Sequence, residues 1–74
     1  MPSPAQIRAA RALLGWTQKQ LAKAAGLSDP SIKRLELENL AVSQETVDRA
    51  TAALEAAGIK FIGTTGVDMK GKRK

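Results

Sequence analysis

The stretch Thr17-Gln18-Lys19-Gln20-Leu21-Ala22-Lys23-Ala24-Ala25-Gly26-Leu27-Ser28-Asp29-Pro30-Ser31-Ile32-Lys33-Arg34-Leu35-Glu36 decides the fold. It reads as two short helices joined by a tight turn. Thr17 followed by Gln20 starts the first: the hydroxyl takes an orphan backbone N–H and the glutamine side chain reaches back. Leu21 is its apolar anchor, and Ala22 is small where a crossing helix must come close. Gly26 can close the helix in the left-handed conformation without a Cβ penalty. Leu27 plugs the turn. Ser28 or Asp29 caps the second helix, and Ile32 and Leu35 give it a buried stripe at i, i+3. Two helices crossing steeply through such a turn form a helix-turn-helix, which can place its second helix in a DNA major groove.

On Gln18, Leu21, Ala22, Gly26, Leu27, Ser28, Ser31, Ile32, Leu35 and Glu36 the chain resembles the phage-repressor, or XRE, type of helix-turn-helix regulators, over about residues 6–57. The resemblance implies a mostly α, four-helix phage-repressor-like DNA-binding domain. It implies binding to double-stranded DNA as a small transcriptional regulator, most often a repressor acting as a homodimer on a pseudo-palindromic operator.

Composition bounds the alternatives. Seventy-four residues suit one domain, with a core small enough that oligomerisation is an economical supplement. Cysteine and histidine are both absent, which removes disulfides, the common nucleophile–base pairs and the usual zinc ligands. The acids Asp29, Glu36, Glu38 and Glu45 form no evident catalytic pair, so no enzyme activity, metal or cofactor is expected. No apolar run is long enough to span a bilayer, and the opening Met-Pro-Ser-Pro is not that of a signal peptide, so the expectation is a cytoplasmic protein without a membrane partner. The net charge is +5. Residues 68–74 hold four basic residues against one acidic, a net of +3, and the rest hold eight against six, a net of +2. The excess suits an anionic partner, and more than half of it lies in the tail.

Outside the opening stretch, Ser3 caps a first helix, Pro4 sits in its first turn and Gln6 completes a capping box. Ile7, Ala10 and Leu14 form its stripe, with Leu13 beside it, and Gly15 ends it. Trp16 then reads as a lid on the end of the core rather than a base-stacking group. The second helix is expected over about residues 18–25 and the third over about 30–37. Pro30 is tolerated in a first turn and biases Asp29 away from helical angles, which favours Asp29 as the effective cap. A loop covers 38–42. Ser43 caps a fourth helix whose Val47, Ala50, Leu54 and Ala57 share a face and which Gly58 terminates. Beyond it, Ile59-Lys60-Phe61-Ile62 and Val67-Asp68-Met69-Lys70 alternate with period two around Gly63-Thr64-Thr65-Gly66, the pattern of a C-terminal β-hairpin, or of a single strand and a tail. The chain thus divides into a helix-turn-helix domain over 1–58, a hairpin over 59–70 that can serve dimerisation, and a basic tail over 71–74.

The candidate DNA-binding residues lie on the second and third helices. At the start of the third, Ser28, Asp29, Pro30 and Ser31 precede Lys33 and Arg34. Arg34 suits the bidentate contact to guanine N7 and O6; Lys33 suits guanine or phosphate; Ser31 is adaptable; Pro30 offers only apolar contact, for instance with a thymine methyl. Asp29 either caps the helix or accepts from a cytosine amino group. Family members often carry long base-reading side chains at the positions of Asp29 and Pro30, and this chain departs from that. The resemblance implies DNA-backbone contacts at Gln18, on a helix N-terminus that favours phosphate, and in the loop carrying Asn39. Lys19 is a second backbone candidate. The resemblance also implies that Arg11 and Glu36 form a structural ion pair between the first helix and the end of the third. The competing function is an antitoxin or anti-activator-like module that uses the same fold to hold a partner protein, with Phe61, Ile62 and Met69 as its surface. RNA binding is disfavoured by the scarcity of aromatic platforms, one Trp and one Phe with no Tyr.

Overall fold

The computed structural model describes residues 2–37, 42–63 and 66–69. The elements run α1 (Pro4–Leu14), α2 (Gln18–Ala25), α3 (Asp29–Glu36), α4 (Gln44–Ala56), β1 (Ile59–Ile62) and β2 (Gly66–Met69). This is the expected four-helix domain with a C-terminal hairpin.

Local chemistry sets the helix ends. In α1 the Ser3 Oγ accepts from the Gln6 N–H at 3.2 Å, and the Gln6 side chain accepts from the Ser3 N–H at 2.8 Å. In α2 the same reciprocal bonds join Thr17 and Gln20, at 3.1 and 2.7 Å. Ser43 caps α4, its Oγ accepting from the Thr46 N–H. Gly15 and Gly26 stand in the left-handed region, at φ 71° and 69°. Each allows the next residue to turn back: the Trp16 N–H donates to the Arg11 carbonyl and the Leu27 N–H to the Ala22 carbonyl. That is the Schellman closure, and it swings the chain sharply from α1 into α2 and from α2 into α3.

The start of α3 corrects one expectation. Ser28, not Asp29, is the cap: its Oγ accepts from the Ser31 N–H, and Asp29 is the first helical residue. The restriction that Pro30 places on Asp29 is mild at a helix start, where the missing proline N–H would have had no intrahelical partner anyway. The serine cap therefore wins. Asp29 still contributes, as an acid in the first turn that complements the helix dipole.

The core is one cluster of Ile7, Ala10, Leu21, Ala22, Ile32, Leu35, Val47, Ala50, Leu54 and Ile59. Each helix contributes two or three of them, and burying each large aliphatic side chain is worth roughly 1.5–3 kcal/mol. Leu14, Trp16, Leu27 and Val42 pack around this centre, Trp16 as the expected lid. Leu13, beside the stripe, is about half exposed.

The hairpin closes the open end between α1 and α4. Ile59 pairs with Met69, Lys60 with Asp68, Phe61 with Val67 and Ile62 with Gly66, antiparallel. Alternation puts Ile59, Phe61, Val67 and Met69 against the core and leaves Ile62 half exposed on the outer face. The second strand begins one residue earlier than the sequence pattern suggests, because Gly66 still pairs with Ile62; Lys70 lies outside the described residues.

Gln6 holds this end together. It is fully buried, and its Nε2 donates to the carbonyls of Gly66 at 2.9 Å, Gly63 at 3.1 Å and Ile62 at 3.4 Å. One side chain thus starts α1 through its oxygen and ties down the hairpin through its nitrogen. Gln6→Leu fills similar space but takes its side-chain donor from those part-buried carbonyls. It should destabilise the fold by about 1–3 kcal/mol, read as a lower urea midpoint, with hairpin amides losing exchange protection first.

Candidate nucleic-acid interface

The side of α3 facing the core carries Ile32, Leu35 and Glu36, all buried. Glu36 is a carboxylate in an apolar setting, which is tolerable only if it is paired and hydrogen-bonded. Arg11 of α1 meets it with two prongs: Nε to Oε2 at 2.7 Å and Nη2 to Oε1 at 3.0 Å. The third guanidinium nitrogen, Nη1, donates to the Trp16 carbonyl at 2.9 Å, so the fork is held from both sides. Gln18, the first residue of α2, donates through Nε2 to Glu36 Oε1 at 3.0 Å. Arg8, one turn before Arg11, donates to the Glu36 main-chain carbonyl. Three helices are thereby tied at one residue.

The lock aims the opposite face of α3 into solvent. Ser28, Asp29, Pro30, Lys33 and Arg34 are exposed, and Ser31 is half-buried. The Ser28 and Ser31 hydroxyls bond to each other at 2.9 Å, so both are partly occupied within the cap. Lys33 and Arg34, neighbours in sequence, diverge around the helix. Lys33 borders a hollow with Arg8, Gln18, Glu36 and Leu37. Arg34 borders another with Ser31, Val42, Ser43 and Thr46, beside the start of α4. Lys33 thus sits on the flank toward α1 and α2, and Arg34 near the middle of the outward face on the side of α4. Lys19 is exposed in the first turn of α2. Asn39 lies outside the described residues.

Sequence reasoning anticipated the Arg11–Glu36 pair from family resemblance but missed two features. Arg8 was not singled out, although its spacing of three from Arg11 puts both on one helical face, a signal the sequence does carry. Gln18 was read for its backbone contact alone. Its bond to Glu36 joins positions far apart in sequence and has no local signature.

The XRE-type helix-turn-helix family model matches residues 7–56, from Ile7 in α1 to the end of α4. The match covers the locked helices, supports sequence-specific binding of double-stranded DNA, and leaves the hairpin outside it. No curated protein sequence matches the chain.

Removing the central carboxylate should be costly. Glu36→Ala leaves the Arg11 guanidinium, only 23% exposed, and the Gln18 amide without their partner. We expect a loss of about 3 kcal/mol, toward the lower end for a broken buried pair because Arg11 keeps some contact with water. Glu36→Gln retains the shape and one acceptor and should lose less. Denaturant melts of the two variants, compared at matched slopes, check the order.

Proposed function

The chain belongs to the XRE-type helix-turn-helix family, and from that premise we propose that it is a small transcriptional regulator, a repressor that acts by occupying a pseudo-palindromic operator as a homodimer in the cytoplasm. The observation that carries the reading is the outward face of α3, with Arg34 near its middle and Lys33 at its edge, on a helix locked from behind by Glu36. In this reading α3 lies in the major groove. Arg34 contacts a guanine edge, and Lys33 serves guanine or the neighbouring backbone. Ser28, Asp29, Pro30 and Ser31 lie closest to the bases around it. Gln18 and Lys19, at the start of α2, and Asn39 contact phosphates. A glutamine amide has two hydrogens, so Gln18 can hold Glu36 with one and a phosphate oxygen with the other. A rigid register on the backbone then fixes which base Arg34 meets.

Arg34→Ala should weaken binding to the specific site by roughly 1–3 kcal/mol and relax the preference at one base pair per half-site. Titration of specific and random duplexes at the same salt concentration checks it. Equal losses on both would assign Arg34 to the backbone instead.

The dimer reading rests on the hairpin. Ile62 is 51% exposed on the outer face, while the inner face is already filled by the core. A lone helix-turn-helix reads only a few base pairs, and two half-sites about one turn of DNA apart, ~34 Å, require a two-fold partner. Ile62→Lys should then give a monomer in sedimentation and weaken binding to a full palindrome far more than to a single half-site. A variant that stays dimeric moves the interface to α4. A wild-type chain that sediments as a monomer and ignores DNA favours the antitoxin or anti-activator-like reading, with this hairpin face as the docking surface.

A further inference from the structure

Leu37 is the most exposed large hydrophobic residue among those described, at 79%. It caps the C-terminal end of α3 with φ −92° and ψ 10°, close enough to helical angles to continue the turn. With ~3.6 residues per turn, the direction opposite Ile32, Leu35 and Glu36 passes through Pro30, Arg34 and Leu37. All three are exposed. A single leucine at a surface needs no explanation. Here two apolar residues bracket an arginine along the midline of the face turned outward. Pro30 has no donor, and the hydroxyls of Ser28 and Ser31 are engaged with each other. Along this midline, Arg34 is the one side chain that can hydrogen-bond to a base.

The major groove offers one apolar group to such a face, the C5 methyl of thymine. We propose that Pro30 and Leu37 pack against thymine methyls on either side of the guanine that Arg34 contacts, so that methyl position specifies the half-site together with one hydrogen-bonded base. This rests on the reading of α3 as the major-groove helix. The spacing fits. At 1.5 Å per residue, Arg34 stands about 6 Å along the axis from Pro30 and about 4.5 Å from Leu37. Base pairs stack every ~3.4 Å, so each methyl lies about one to two steps from the guanine. Leu37 also borders the hollow shared with Arg8, Gln18 and Lys33, the flank that carries Gln18, a proposed backbone contact. The C5 methyl is the part of thymine's groove edge that lies toward that wall.

The test uses the full chain. Duplexes are enriched from a random pool by binding, and the guanine read by Arg34 is located with Arg34→Ala. Each nearby thymine in the enriched half-site is then replaced by deoxyuridine, which removes only the methyl. Uracil one to two steps from the guanine should weaken binding about fourfold at each of two positions, the value of burying one methyl-sized group. Leu37→Ala should abolish the sensitivity at one position and Pro30→Ala at the other, each variant matching wild type on the uracil duplex. Both residues are exposed, and helical circular dichroism confirms that the variants fold. Enrichment of a site whose thymines tolerate uracil within about twofold, or that has no thymine within two steps of the guanine, overturns the methyl inference and leaves the DNA-binding reading intact. Failure to enrich any sequence overturns both.

Discussion

A buried carboxylate is the constraint on which the rest of the molecule depends. Left alone, Glu36 would be far too costly to desolvate. Two prongs of Arg11 and the amide of Gln18 meet it, and Arg8 covers the main-chain carbonyl of the same residue. Pairs of this kind add little net stability over a well-packed apolar substitute. What they add is direction. A guanidinium fork meets a carboxylate in one plane, so it restricts how α3 can rotate about its own axis. Apolar packing alone leaves that rotation weakly defined, since Ile32 and Leu35 could be accommodated by small rolls of the helix. The lock therefore bears on function through geometry: it decides which side chains of α3 face outward.

The opposite end of the domain solves a different problem. Ten buried apolar residues, four of them alanine or valine, make a thin core, and the four helices leave one end open. The hairpin covers it with Ile59, Phe61, Val67 and Met69. A two-stranded ribbon is marginal alone, and the carbonyls of Ile62, Gly63 and Gly66 turn toward Gln6 of α1. Gln6 supplies the donor. A polar residue at the base of the core is thus the condition under which the hairpin can dock. No buried side-chain nitrogen or oxygen among the described residues is left without a partner.

How much of this was legible in the sequence follows the range of each interaction. Both capping boxes, both left-handed glycines and the serine cap of α4 act within a few residues, and each leaves a local pattern that places its helix end. The cap of α3 was ambiguous because two local preferences competed: the serine hydroxyl favoured Ser28, and the restriction before proline favoured Asp29. The hydroxyl won, since a full hydrogen bond outweighs a mild conformational bias at a helix start. The hairpin was visible as period-two alternation, but the edge of its second strand was not, because a glycine reads as turn whether or not it pairs. The long-range roles of Gln6 and Gln18 left no trace at all. Gln6 already had a sufficient local reading as a capping residue, and its three acceptors lie more than fifty positions away. The Arg11–Glu36 pair spans 25 positions and was legible only through resemblance to a family.

The candidate site combines these levels in an instructive way. Lys33 and Arg34 are adjacent in sequence, so composition sees only a basic dipeptide. On a helix they diverge by more than a quarter turn, and only the orientation of α3 says which flank each one serves. That orientation comes from Glu36, one turn beyond Lys33 and buried where α1 and α2 meet α3. The same helix thus carries both the lock that orients it and the exposed cations that the lock aims. The outward face of this eight-residue helix carries Asp29, Lys33 and Arg34 around Pro30, and the lock behind it limits how far those groups can shift. In the proposed reading, discrimination comes from holding contacts in a fixed place, where a misfit cannot be relieved by rolling the helix. In that reading the lock behind the helix serves the face in front of it, and a weaker lock costs specificity before it costs affinity.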